Sequence, residues 1–278
     1  MSDTRDGKAV TRDFAWIERE YGREKWPAIL KHIDALRQDG ETSLSRMVTA
    51  VTRAEFGNPT LDPRRLCLEQ RVVDVPGSFG WYGAYAMIAE LVVAATRPDT
   101  GAVIDLGAGW GRTLLDVWLR GGPRDAPYFA LEFTAAGQQC AAALGALEPG
   151  LDLRTGFFDF TRPDYSILPR DLSHAVIVTV SSVHQVPLLE EAAYREILGV
   201  APEIDCLHFE QLGWQMDSAD PDDPARAYAI KNDYNRNFWP ILSSLEKSGD
   251  IEFVAVETDL VGLRSDYPLS LVHWRRRA

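Results

Sequence analysis

Val103-Ile104-Asp105-Leu106-Gly107-Ala108-Gly109-Trp110-Gly111-Arg112 runs from an apolar segment into a glycine-rich turn, and a helical pattern over 113–119 begins beyond it. The order is strand, tight turn, helix. Glycines let the backbone turn sharply and let a ligand approach it closely. The following helix N-terminus offers free N–H groups and a partial positive charge, a setting suited to an anionic ligand group.

Working outward, the same alternation fills the rest of the chain. Strand candidates lie at 102–106, 128–133, 151–155, 175–180, 206–210, 251–257 and 269–274, with helical stretches at 113–119, 135–147, 188–198 and 225–247. Several of these strands are unbroken apolar runs, as expected where both faces of a sheet are covered. Alternating β and α segments predict an α/β fold with a doubly wound, mostly parallel sheet. Toward the N-terminus the pattern changes. Phe14, Ile17 and Tyr21, then Trp26, Ile29, Leu30, Ile33 and Leu36, recur at helical spacing. Residues 43–56 read similarly, Gly57-Asn58-Pro59-Thr60 and Asp62-Pro63 break the pattern, and a helix over 81–96 follows the Pro76-Gly77-Ser78 turn. The expectation is a helical N-terminal cap over 1–80 and an α/β domain over 81–278. The segment 217–224, DSADPDDP, reads as an acidic loop, and Trp274-Arg275-Arg276-Arg277 as a solvated tail.

Composition narrows the partners. The 278 residues carry a formal charge of −12, which repels polyphosphate and disfavours a nucleic-acid substrate. No apolar run approaches the ~20 residues of a membrane span. The polar N-terminus lacks the apolar core of a secretory signal. Cys67, Cys140 and Cys206 form no CxxC pair, so a reducing cytoplasm is the default and no metal site is expected. A homodimer is left open.

The glycine turn also discriminates between ligands. The dinucleotide fingerprint G-x-G-x-x-G fails, because Arg112 stands at its third glycine and the spacing is G-x-G-x-G. Asp105, two residues before the first glycine, would repel a pyrophosphate and favour a cationic group such as an amino acid's α-amine. Here the chain resembles the class I S-adenosylmethionine (SAM)-dependent methyltransferase family, whose first motif is an acidic residue followed by G-x-G-x-G. The resemblance implies a seven-stranded sheet with the last strand antiparallel, and SAM as cofactor with S-adenosylhomocysteine (SAH) as product. It extends as a pattern over about residues 80–278, and only the first motif is specific.

The resemblance also directs attention to carboxyl ends of strands, where open α/β sheets bind ligands. Asp105, Gly107, Ala108 and Gly109 form the cofactor turn. Glu132, ending the next strand, suits the two ribose hydroxyls, and Phe133 the adenine face. Asp159, with Phe160 beside it, stands where the family places an acid at the adenine amino group. Ser181 follows the strand at 175–180.

Methyl transfer is an in-line displacement at an activated sulfonium, so the protein mainly aligns reactants and excludes water. An oxygen nucleophile usually needs a base. His184, just past the strand at 175–180, is the candidate base, and Glu210, ending the strand at 206–210, is the second catalytic candidate. His32, His174, His208 and His273 are read as structural or remote from the site. The chain lacks the D/N-P-P-Y/F pattern of amide and exocyclic-nitrogen methyltransferases, and it lacks the acid that holds Mg²⁺ in the catechol-type arrangement. Aromatics among glycines near Trp81 and Tyr85 suit a lid. Tyr234 and Asn235, in an amide-rich stretch with low helix propensity, suit a substrate contact. The expected function is metal-independent methylation of a hydroxyl or amine on a small polar molecule, sugar-like or a natural product. A nicotinamide-dependent or flavin oxidoreductase, a non-catalytic SAM-binding protein and an aminopropyl transferase using decarboxylated SAM are the alternatives.

Overall fold

The computed structural model describes residues 11–57, 63–216, 223–262, 264 and 266–276, with backbone alone at Pro63, Ser78 and Trp81. Residues 217–222 of the acidic loop, and Arg277, lie outside the described residues.

Helix α1 (Phe14–Ile17) continues through a π-helical segment, Glu18–Lys25, into α2 (Trp26–Gln38). Helix α3 (Leu44–Phe56) is N-capped by Ser43 and stops at Gly57, whose φ is +87°. Strands β1 (Pro63–Leu68) and β2 (Arg71–Pro76) then form an antiparallel hairpin, and α4 (Gly77–Ala95) follows directly. The alternating region comprises β3 (Ala102–Leu106), α5 (Arg112–Leu119), β4 (Tyr128–Glu132), α6 (Ala135–Gly145), β5 (Leu153–Phe157), β6 (His174–Val180), α7 (Glu191–Arg195) and β7 (Glu203–Glu210). It ends with α8 (Pro224–Lys231), α9 (Phe238–Lys247), β8 (Glu252–Gly262) and β9 (Pro268–Arg276).

The nine strands among the described residues form one sheet in the order β2-β1-β8-β9-β7-β6-β3-β4-β5. Strands β3, β4, β5, β6 and β7 pair in parallel, and β9 is antiparallel to both β7 and β8. The seven-strand arrangement with an antiparallel last strand is therefore present within a larger sheet. The helical cap needs correcting, because residues 63–76 are strands that extend the sheet at the β8 edge. Glu69 and Gln70 form a two-residue turn with φ of 48° and 62°. Both positions are left-handed, as in a type I′ turn, yet neither is Gly, Asn or Asp, so the usual sequence signal is missing.

Two more expectations change. The stretch 225–247 is two helices, α8 and α9, separated by a break at 232–237. The basic tail is largely strand β9, with Trp274 fully buried and Arg275 Nε donating to Asp205 Oδ1 at 2.5 Å.

Side-chain alternation gives the sheet two cores. Val103, Tyr128, Ala130, Val176, Val178 and Phe209 face α2 to α6, while Ile104, Leu106, Phe129, Ile177, Cys206 and Trp274 face α7 and α9. Covering both faces explains the unbroken apolar runs. The chain winds from β3 outward to β5, then returns to place β6 on the other side of β3. That reversal opens a crevice between the carboxyl ends of β3 and β6. No helix among the described residues is long and apolar enough to cross a membrane.

Candidate active site

The glycine turn sits at this reversal. Gly107, Gly109 and Gly111 adopt φ of +79°, +55° and +84°, conformations that side chains rarely take. A Cβ at Gly107 would lie 2.4 Å from Ser182 Cβ, and one at Gly111 would lie 2.9 Å from Ala141 Cβ. The first glycine thus lets β3 and β6 close on each other, and the third lets α6 pack against the start of α5. The turn is pinned to β4: Gly107 N–H and Ala108 N–H both donate to the Leu131 carbonyl, at 2.7 and 3.1 Å. Gly109 N–H donates to Glu132 Oε2 at 2.9 Å. These three amides serve the fold rather than pointing into the crevice.

A cavity of about 440 Å³ opens here, within the ~300–1,000 Å³ usual for small-molecule sites. Asp105, Gly107, Ala108, Gly109, Glu132, Phe133, Asp159, Phe160 and Ser181 all line it. Asp105 is buried, hydrogen-bonded to Thr113, and pushed up to about 8 by burial and then by the Glu132 charge. Glu132 Oε1 accepts from Thr134 N–H and Thr134 Oγ at 3.0 and 2.7 Å, while burial still raises its pKa. Asp159 caps its own turn, accepting from Thr161 N–H and Oγ1 at 2.8 Å each. Ser181 holds φ of +55°, unusual for a residue other than glycine, at the cavity wall.

The aromatic surroundings were only partly foreseen. Phe133 stacks on Phe14, with ring centroids 5.5 Å apart and planes 11° apart. Phe14, Ile17, Tyr21, Lys25 and Trp26 line the cavity, so α1, the π-helical segment and the start of α2 form its roof. Lys25 pairs with Glu55 at 2.7 Å, and Glu55 also accepts from Trp110 Nε1 at 2.7 Å. Arg12, from the segment before α1, donates through Nε to the Asn232 carbonyl at 2.6 Å and through Nη1 to Gln185 Oε1, and lies over the Tyr234 ring. Tyr85 and Tyr234 line the cavity, and the side chain of Trp81 lies outside the described residues.

Three other singled-out residues do not line it. His184 is 1% exposed and Glu210 and Asn235 are 0% exposed. Glu210 accepts from the N–H groups of Ser182, Val183 and His184, and from His184 Nδ1 at 2.8 Å. These bonds, above all the one from His184, hold its pKa below the usual value despite burial. Asn235 Nδ2 donates to the Val186 carbonyl at 2.7 Å, its Oδ1 accepts from Phe238 N–H at 2.7 Å, and its own N–H donates to the His184 carbonyl at 2.9 Å. The amide-rich break between α8 and α9 thus staples the turn that carries His184. Two polar neighbours of His184 do line the cavity: Tyr267, whose hydroxyl is 2.7 Å from His184 Nε2, and Gln185, whose Nε2 is 2.9 Å from the same nitrogen. Sequence reading missed Tyr267, because a lone tyrosine ahead of a strand carries no signal.

No family model matches the chain, and no curated protein matches it. Solved structures similar to it include a SAM-dependent methyltransferase from Aquifex aeolicus, at 14% identity and TM-score 0.44, covering 68% of this chain and 89% of that one. A geranyl diphosphate methyltransferase in complex with GPP and sinefungin has 10% identity and TM-score 0.48, covering 69% and 78%. The magnesium protoporphyrin IX methyltransferase of Synechocystis PCC 6803 with bound SAH has 12% identity and TM-score 0.46, covering 71% and 85%.

Proposed function

We propose that this chain is a methyltransferase that uses SAM to methylate a hydroxyl or amine of a small polar molecule. The observation that carries the reading is Asp105, a buried carboxylate on the cavity wall beside the glycine turn, with Glu132 and Glu210 as like-charged neighbours. Such a group asks for a cation, and a ligand α-amine supplies one where a pyrophosphate would add repulsion.

The residues present fit the rest of SAM. Gly109 and Thr134 occupy three of the roughly four acceptor sites of Glu132, which leaves about one for a ribose hydroxyl. Phe133, Phe160 and Asp159 line the cavity, which supports reading the two rings as contacts for a purine and the acid as a partner for its amino group. SAM supplies an electrophilic methyl on a sulfonium. The chain's own work is to align the acceptor and to exclude water, and the helical roof over the cavity serves both. The same roof suits a compact acceptor rather than a polymer.

Isothermal titration calorimetry with SAM, SAH, NAD and decarboxylated SAM tests this. Micromolar binding of SAM and SAH, weakened at least tenfold in Asp105→Ala, is the expected result. Binding of NAD in their place overturns the reading, and preference for decarboxylated SAM redirects it to aminopropyl transfer.

A further inference from the structure

The protonation of His184 can be read from its neighbours. Glu210 is a carboxylate and only accepts, so His184 Nδ1 carries the proton in the 2.8 Å bond between them. On the other side Gln185 Nε2 lies 2.9 Å from His184 Nε2. The Gln185 amide is oriented by Arg12, whose guanidinium donates to Gln185 Oε1, so the NH₂ end faces the imidazole. An NH₂ group only donates, which leaves Nε2 as a bare lone pair. Tyr267 Oη, at 2.7 Å, is the second donor aimed at that lone pair. Two separate sets of contacts therefore fix one tautomer, with its basic nitrogen directed at a tyrosine on the cavity wall.

We propose that Tyr267 meets the acceptor's hydroxyl, and that the proton leaves through Tyr267 to His184 Nε2, so that the acceptor is an alcohol or phenol. The inference rests on the methyl-transfer reading above. As the acceptor oxygen forms its bond to the methyl carbon, the carbon–sulfur bond breaks and its electron pair stays on sulfur. The acceptor's proton moves to Tyr267 Oη while the phenol's own proton moves to Nε2. Tyr267 ends neutral, and the imidazolium is held against Glu210. Burial, then the neighbouring Tyr234, keeps the Tyr267 phenol well above its ordinary pKa, which suits a conduit that never rests as phenolate. Tyr234, Tyr21 and Glu210 act on Tyr267 electrostatically, the Ser181 hydroxyl bonds to it, and the Tyr228 ring meets its ring edge-on at 5.8 Å. Glu210 and the Tyr234 ring pack on His184, with Arg12 beyond Gln185 and Arg264 over Tyr228. In this scheme Tyr267 is the catalytic residue, while His184 and Glu210 act through it.

The test begins with the full chain labelled with ¹⁵N-histidine. Long-range ¹H–¹⁵N correlation at pH 7–9 is expected to show His184 protonated at Nδ1 and bare at Nε2, with the Nε2 resonance moving in Tyr267→Phe. A proton on Nε2 throughout that range, or no response to Tyr267→Phe, overturns the relay. Calorimetry with SAH on the same variant separates the two readings. Tyr267→Phe is expected to bind SAH within about twofold of wild type, whereas loss of SAH binding in wild type itself would sink the methyl-transfer reading and leave the tautomer result standing. Tritiated methyl transfer from SAM to a panel of sugars, polyols, phenols and amines completes it. Transfer to hydroxyl compounds, with kcat lowered about 100-fold in Tyr267→Phe and KM for SAM unchanged, supports the relay. Transfer to amines alone, to none of the hydroxyl compounds, or at an undiminished kcat overturns it.

Discussion

At the scale of single residues, Asp105 makes the sharpest prediction. With its pKa pushed up to about 8, it is largely protonated at pH 7 in the free protein. A cationic amine bound beside it would stabilise the carboxylate and pull that pKa down. Binding of SAH at pH 7 should therefore release close to one proton, about 0.9 by the titration curve. Calorimetry in buffers of different ionisation enthalpy measures the release, and Asp105→Asn should abolish it. The free protein has the opposite linkage. Because the folded pKa lies above the unfolded one, ionisation of Asp105 opposes folding as pH rises past about 4. Asp105→Asn should accordingly leave the ligand-free protein no less stable at pH 9. The place of Asp105 on the cavity wall was legible in the sequence, because it stands at the end of an apolar strand just before a glycine turn. Tyr267 and Arg12 were not, since their roles exist only through contacts to distant parts of the chain.

At the scale of elements, the turn between β3 and α5 is held by space as much as by conformation. Gly107 and Gly121 both have positive φ, +79° and +94°, but a Cβ at Gly107 strikes Ser182 while one at Gly121 meets nothing within 4 Å. Gly121→Ala should cost about 1 kcal/mol of stability, the conformational penalty alone. Gly107→Ala should cost roughly 2–4 kcal/mol, since overpacking adds to it. Urea unfolding of the two variants compares them directly. The alternating strands and helices were readable because apolar runs and glycine turns coincide there. The hairpin of β1 and β2 was not, since Glu69-Gln70 carries none of the residues that mark a left-handed turn. The break between α8 and α9 showed as an excess of amides, but its purpose, bonding to the 184–189 segment, is a tertiary one.

At the scale of the whole molecule, two buried clusters away from the cavity govern behaviour in acid. His208 is fully buried between Thr179, Tyr194 and Trp274, and burial lowers its pKa to about 3. At this position the unfolded chain then binds more protons than the folded one between pH 6.5 and 3, so the contribution of His208 to stability falls as pH drops through that window. Between pH 7 and 5 this group contributes a loss of about 2 kcal/mol, set against the opposite trend of Asp105 over the same window, so the urea-unfolding stabilities of wild type and His208→Gln should change relative to one another by that amount. Asp205 ties β6, β7 and β9 together by accepting from His174, His273 and Arg275, which hold its carboxyl well below the usual range. Its contribution is present above about pH 4 and disappears only in stronger acid.

The bond from Arg12 to the Asn232 carbonyl spans 220 positions of sequence. The roof of the cavity is made by the first part of the chain described and its tyrosine wall by the last. On a ribosome elongating at about 5–20 residues per second, Arg12 emerges roughly 10–40 s before its partner. Through that interval Phe14 can already stack on Phe133, but Arg12 has neither the Asn232 carbonyl nor the Tyr234 ring to meet. The pocket is thus among the last parts of the molecule to take shape, and a nascent chain stalled before Asn232 would carry the glycine turn and the acids of β3 and β4 while lacking the enclosure that makes them useful.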